Sequence, residues 1–553
     1  MTEVLRVERG RYHDSVTLLW ASAAVRDVAG VETAIVALAT ELNLELLVAA
    51  GFAQVDATAD DLVVAVRCDT QDTADEAVAT IERILTERQQ PARSSGSRQV
   101  APHTVEAAAG RAPDAGVVLV SVPGAHAYVE AVAALRAGRH VMVFSDGIDL
   151  ATEVTLKREA AKLGRLVMGP DCGTVILDGV GLGFANVVSP GPVGLVAASG
   201  TGAQQVCCLL DGAGIGVRHV VGVGGRDLST LVGGLSTQTA LVALDADPSV
   251  EVIGVVAKVA APAVAAAVAA TAAGCRTPVV FAFVGPGHPT LTDAAAAIAA
   301  RLAKPFTEPV HWPASARPAP DEGRSESVGG GAGGASAPAP AAAATLPAPV
   351  LGLFSGGTNA AEALVVLEAR LGPVRSNVHH DRSRRLGPRD DPTGAHAVLD
   401  LGDDELTVGR PHPMIDPLAV ADRLHAAVDV PAGPSVVLLD VVLGHGAHPD
   451  PAPVLAPALA AATEAGVHLV VTLVGTDGDP QGLGRQARVL VDAGASVHRS
   501  NARAAEHAAA LASGAGRRPV SAAAERRDRL GPGERGAGHE RTPEREGHEV
   551  AEG

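Results

Sequence analysis

The sequence predicts an α/β protein: tandem doubly wound parallel sheets behind a small N-terminal α+β domain. Apolar runs of strand length alternate with helix-length segments through most of the 553 residues. That rhythm belongs to parallel sheets with helices on their faces. The key strands end in tight Ser/Gly turns, as at 193–202 and 349–359. The same order of strands and turns also occurs twice, on either side of a Gly/Ala/Pro-rich stretch, and an internal duplication accounts for it economically.

Taken in order, residues 1–90 mix short apolar runs with helical patterns and predict the α+β domain. Residues 100–190 hold GVVLVSV (116–122), HVMVFSDG (140–147) and LVMGPDCGT (166–174), a first strand–turn–helix unit. A second unit spans 191–307, from VGLVAASGTG (193–202) through VIGVVAKV (252–259) to TPVVFAFVG (277–285). Residues 308–348 are too rich in Pro, Gly and Ala to bury a core and predict a flexible linker. The strand–helix rhythm resumes over 349–514 with SGGTN, AVLDLGDD, SVVLLDVVLGHG and HLVVTLVGTDGDP. The Arg/Glu/Gly-rich residues 515–553 predict a disordered tail.

Composition excludes several functions. The formal charge of −18 argues against a nucleic-acid binder, which carries a basic stripe. Aromatics make up only 2% of the chain, so Ala, Val and Leu must build the cores. The Ala-rich run 255–274 is broken by Lys258 and Pro262 and is too weakly apolar to span a membrane. Five cysteines without CxxC spacing give neither a disulfide framework nor a zinc site. No metal is expected, and the reading is a cytoplasmic protein.

The two Ser/Gly loops are the most informative local features. Ser199, Gly200, Thr201 and Gly202 form one, and Ser355, Gly356, Gly357 and Thr358 the other. Each follows an apolar strand and opens a helix, so free N–H groups, hydroxyls and the helix dipole can converge on a phosphate. A bland alternative is that Ser199 and Ser355 merely cap helices, but two such loops at equivalent places favour an anion site.

Other residues carry candidate chemistry. Lys258, one of four lysines, ends an otherwise apolar strand, where doubly wound folds place ligands. It can neutralise a phosphate or carboxylate or simply reach solvent. Arg410 and His412 lie on a proline-stiffened loop, suited to gripping an anion and to moving a proton near neutral pH. Asp403 and Asp404 can cap a helix or bind Mg²⁺, with capping favoured. Arg226 and Asp227 form either an internal pair or an anion clamp. With Asp171 of GPDCGT, these four complete the predicted substrate-binding set. Cys172 has no adjacent base and reads as packing.

At these motifs the chain resembles the succinyl-CoA synthetase superfamily. MGPDCGT, VGLVAASGTG and VGVGGRDLS look like the α subunit. SGGTNAAEAL, LDLGDD, LLDVVLGHG and LVGTDGD look like the CoA-ligase domain of the β subunit. GPDCGT, ASGTG, GGRDLS and DLGDDELTVGRPHPMIDP are similar to the FdrA branch, which joins both units in one chain. The resemblance implies Rossmann/flavodoxin-like units, a CoA-binding-like domain at 100–190 and ligase domains at 191–307 and 349–514. It implies phosphate or carbamoyl phosphate as ligand, CoA as a further one, and partner subunits.

Two departures matter. VVAKVAAP puts Lys258 near the position of the superfamily's orienting glutamate, and no phosphohistidine loop follows, only His288 in GPGHPT. The FdrA resemblance implies a subunit of an oxamate carbamoyltransferase, which needs a phosphate site and no phosphohistidine. An ADP- or GDP-forming acyl-CoA ligase with a separate ATP-grasp partner, and a non-catalytic CoA-binding scaffold, are the alternatives.

Overall fold

The computed structural model describes residues 2–89, 102–314 and 348–514, apart from positions 12, 14, 27, 59, 259, 388, 389, 391, 393, 408–410 and 429–432. Residues 315–347 of the expected linker and the whole expected tail therefore lie outside the described residues.

The N-terminal unit is an antiparallel sheet of β1 (Thr2–Glu8), β2 (Val31–Leu38) and β3 (Leu62–Cys68), with β3 central. Helices α1 (Ser15–Arg26), α2 (Glu41–Ala49) and α3 (Gln71–Gln89) complete it. Leu18, Val25, Val64, Ile81 and Leu85 are among its buried core residues.

The next unit begins with α4 (Val105–Arg111) and has three parallel strands, β4 (Val117–Val120), β5 (His140–Val143) and β6 (Val167–Met168). Helices α5 (Gly124–Arg136) and α6 (Leu150–Lys162) connect them. A hairpin of β7 (Thr174–Leu177) and β8 (Val180–Gly183) then joins the following sheet, where β7 runs antiparallel to β10 (Val217–Gly222). The sheet boundary thus falls just before Thr174 rather than near 190, because the hairpin closes the otherwise open edge of β10.

The remaining strands of that six-stranded sheet are β9 (Val193–Ala197), β11 (Val252–Lys258) and β12 (Val279–Val284). Helices α7 (Gly200–Gly212), α8 (Leu235–Ala246), α9 (Pro262–Ala273) and α10 (Leu291–Arg301) accompany them. The seven-stranded sheet contains β13 (His311–Trp312), β14 (Val350–Phe354), β15 (Arg375–Ser376), β16 (Ala397–Asp400), β17 (Val436–Val442), β18 (His468–Val474) and β19 (Ala495–His498). Its helices are α11 (Gly357–Leu371), α12 (Asp404–Thr407), α13 (Leu418–Val428), α14 (Pro451–Glu464), α15 (Leu483–Asp492) and α16 (Asn501–Ala512). β13 lies inside the expected linker yet pairs antiparallel with β19, with Trp312 packed against the core beneath. One aromatic ring and two strand residues anchor that end of the connection.

The duplication is explicit in strand order. The first sheet runs β12-β11-β9-β10 where the second runs β18-β17-β14-β16, and the equivalent strands occur in the same chain order. β9 and β14 are buried at every position, which explains their continuous apolar runs: both faces of a parallel sheet are covered by helices. Val, Leu and Ala dominate the four largest cores. Packing between the halves brings the starts of α7 and α11 together.

Candidate functional site

Ser199 has extended backbone, and its hydroxyl oxygen accepts the Gly202 N–H at 3.0 Å, capping α7. The same hydroxyl donates to Thr358 Oγ1 at 2.6 Å, across the boundary between the halves. The second helix start is built differently. Gly356, not Ser355, is the N-cap of α11, and it supplies no side-chain cap hydrogen bond. Ser355 is buried one residue earlier, its N–H donating to Asp440 Oδ1 at 2.6 Å. Asn359 Nδ2 donates to the other Asp440 oxygen at 3.1 Å. Asp440 thus holds the loop from beneath, while the leading N–H groups of α11 lack a side-chain cap.

Glycine is required by contact here, not by backbone conformation. A Cβ on Gly356 would overlap the Thr201 side chain, and one on Gly202 would lie 2.9 Å from Thr358 Cγ2. A Cβ on Gly357 would lie 2.6 Å from Asp400 Oδ2 and 2.7 Å from Lys258 Nζ. Lysine and aspartate therefore crowd the first residue of α11 from two sides.

Beside these loops lies a cavity of about 610 Å³. All three α/β units line it: Ser121–Pro123 and Asp146 from the first, Ser199–Thr201 and Lys258 from the second, Ser355–Thr358 and Asp400 from the third. It sits beyond the carboxyl ends of the parallel strands, where open α/β sheets bind ligands.

Burial sets the electrostatics. Desolvation raises Asp400 to about 7, opposed by the charge of Lys258 and by the Gly402 N–H, which donates to Oδ1 at 3.1 Å. Desolvation also raises Asp440 to about 6, against its bonds from Ser355 and Asn359. His412 is pushed down to about 4 by burial. Its Nδ1 accepts the Met414 N–H at 3.2 Å, so Nε2 carries the proton of a neutral ring. Burial thus holds His412 below the neutral range in which the sequence reading has it move a proton, and its ring lines the cavity wall.

The loops Ser199–Gly202 and Ser355–Thr358 do meet, and Lys258, His412, Asp171 and Asp403 all reach the cavity wall with them, Gly202 lying just behind. Asp403 also accepts the Glu405 N–H at 3.0 Å, the capping role favoured from sequence. Arg226 and Asp227 are a correction, because both are consumed internally. Arg226 Nε lies 2.9 Å from Glu153 Oε2 and its NH2 donates to the Ile148 carbonyl. Asp227 is fully buried and accepts from Lys157 Nζ at 2.7 Å, Thr237 Oγ1 at 2.6 Å and the Ser236 and Thr237 N–H groups that open α8. Arg410 and the side chain of Asp404 lie outside the described residues. The Cys172 thiol is buried, donates to the Gly222 carbonyl at 3.3 Å and is pushed up to about 12.

Sequence reasoning missed Asp400, Asp440 and Gln204. The first two are lone charges on otherwise apolar strands, the signal that had singled out Lys258. Gln204 is readable only in three dimensions. Asn186 Nδ2 donates to Asp479 and to the Leu443 carbonyl, so its Oδ1 faces Gln204 Nε2 at 3.2 Å. That leaves Gln204 Oε1 buried with no partner among the described residues. Among those residues, no group of three His, Cys, Asp or Glu is arranged to hold a metal ion. No helix among them is long and apolar enough to cross a membrane.

Paired nucleotide-type sheets with facing helix starts at one cavity define a protein of CoA-ligase type. Residues 353–511 match the CoA-ligase family model, and residues 1–102 match a model described as AllF, heavy metal-associated domain. The chain is 33% identical over 507 residues to the uncharacterized protein YahF of Escherichia coli strain K12, covering 89% of this chain and 95% of that one. With YahF it belongs to the FdrA-like family of the CoA-ligase superfamily. It is also 30% identical over 119 residues to subunit alpha 2 of succinate–CoA ligase (ADP-forming) of Archaeoglobus fulgidus, spanning 21% of this chain and 42% of that subunit. Among solved structures it is similar to a dinucleotide-forming acetyl-coenzyme A synthetase 1 of Ca. Korarchaeum cryptofilum in complex with phosphate and ADP. There the identity is 16%, the coverage 77% of this chain and 87% of that one, and the TM-score 0.28.

Proposed function

We propose that the cavity binds phosphate and acyl or carbamoyl phosphate between the starts of α7 and α11. In this reading the chain serves as a subunit of an oxamate carbamoyltransferase. Oxalurate and phosphate give oxamate and carbamoyl phosphate: a phosphate oxygen attacks the ureido carbonyl, the carbon–nitrogen bond breaks, and the departing nitrogen takes a proton. The observation that carries the reading is the uncapped start of α11, with Lys258 Nζ over its first residue and the Ser199–Thr358 bond beside it. N–H groups and an ammonium converging on one point suit an anion. Lys258 offsets charge on the phosphate or the substrate carboxylate, and neutral His412 donates a hydrogen bond. Neither step needs a phosphohistidine.

A second reading, an acyl-CoA ligase working with a separate ATP-grasp partner, is favoured by the match to a succinate–CoA ligase α subunit. The two are separated by a thermal-shift panel of phosphate, carbamoyl phosphate, oxamate, CoA and ATP. A specific ligand at a hundred times its dissociation constant adds about 2.7 kcal/mol of stability. Shifts with phosphate, carbamoyl phosphate and oxamate support the first reading. A shift with CoA and none with carbamoyl phosphate overturns it in favour of the second.

A further inference from the structure

Asp400 stands where an ionised carboxylate is least welcome in an anion site. It ends β16, its Oδ1 is held by the Gly402 N–H, and its Oδ2 lies over Gly357, the first residue of α11. Resting on the anion-site reading above, we infer that the site takes up a proton as it fills, and that Asp400 carries it. A protonated Asp400 gives up its repulsion toward the incoming anion and presents an O–H donor in place of a bare acceptor.

The groups facing Asp400 differ in sign, and burial outweighs the one that opposes protonation. Lys258 at the end of β11 is the positive neighbour. Asp403, in the turn after β16, and Asp440 on β17 are negative ones that both favour protonation. His412, whose ring packs against Gly402, is neutral near pH 7 and adds no charge. In the empty site Asp400 is already raised to about 7 by burial. An added anion raises it further, since a like charge disfavours the ionised form. Proton uptake is therefore small well below pH 7 and approaches one proton per anion above it. Binding is strongest at low pH and weakens as pH rises through the free-site value.

The test uses the full chain and sulfate, which mimics phosphate but does not itself titrate between pH 6 and 9. Calorimetric titrations should show a dissociation constant that is flat near pH 6 and rises about tenfold per unit above pH 7, one proton being linked. Asp400→Asn keeps the acceptor for Gly402 and should bind sulfate with no pH dependence over the same range. Lys258→Met should weaken binding at every pH and keep the slope. Sulfate binding by the parent that does not change with pH overturns the inference and leaves the anion site standing, as does a slope that survives in Asp400→Asn. Failure to bind sulfate at any pH overturns both.

Discussion

Ser199 of one half donates its hydroxyl proton to Oγ1 of Thr358 in the other, at 2.6 Å. The donor also caps its own helix by accepting the Gly202 N–H, so one side chain ends α7 and joins it to α11. The division of labour follows. The α7 start is closed by its serine, while the α11 start remains uncapped and faces Lys258 and Asp400.

Close approach of the two starts makes the glycines unequal. A Cβ on Gly356 would overlap Thr201, whereas one on Gly200 would meet Thr174 Oγ1 at 3.2 Å. Gly356→Ala should cost about 1–3 kcal/mol through overpacking, and Gly200→Ala less than about 1 kcal/mol. Urea denaturation of both variants decides it, and equal stability would contradict the observed contact. The valine variants at both positions should lose phosphate binding, with Gly356→Val also loosening the junction between the halves.

Lys258 is exposed at the end of β11, so its removal should barely affect folding. Lys258→Met is expected to stay within about 0.5 kcal/mol of the parent while losing at least roughly tenfold in phosphate affinity, about 1.4 kcal/mol. Unchanged calorimetric affinity in a folded variant would remove Lys258 from the site.

Lys157 makes the opposite case. It is fully buried and donates to Glu153 at 2.8 Å, Asp227 at 2.7 Å and the Val223 carbonyl at 2.8 Å. Lys157→Met leaves two carboxylates buried without their ammonium and should cost about 3–5 kcal/mol. A denaturation midpoint close to that of the parent would show the ion pair to be dispensable.

Glu362 links the halves, accepting from the Leu291 N–H at 2.6 Å and from Asn501 Nδ2 at 2.8 Å. Burial raises its carboxyl from 4.5 to about 7. Because the folded value is the higher one, its contribution is complete below about pH 4.5 and is lost as pH rises through 7. The loss is on the order of 3 kcal/mol, at 1.36 kcal/mol per unit. Melting curves from pH 5 to 8 should fall for the parent and fall less steeply for Glu362→Gln, the remainder coming from Asp400 and Asp440, which burial also raises. An identical slope in both would assign the dependence to other groups.

The sequence by itself determined the sheet class, the duplicated unit, the two Ser/Gly loops and the lysine at the end of β11. These are local signals: burial on both faces forces continuous apolar runs, and glycine turns must follow where a strand feeds a helix. It also pointed to Arg226 and Asp227, which are polar residues after a glycine turn and carry no mark of which way they face. Tertiary structure buried Asp227 on Lys157 and paired the half-exposed Arg226 with Glu153, because α6 packs its buried charges against that turn. Only the packing of one half on the other set Thr358 against Ser199 and placed Asp400 beside Lys258. Residues 159 and 142 positions apart in the chain share no local pattern. The charge state of Asp400 follows from how much water the assembled cavity excludes, a quantity that no stretch of sequence holds alone.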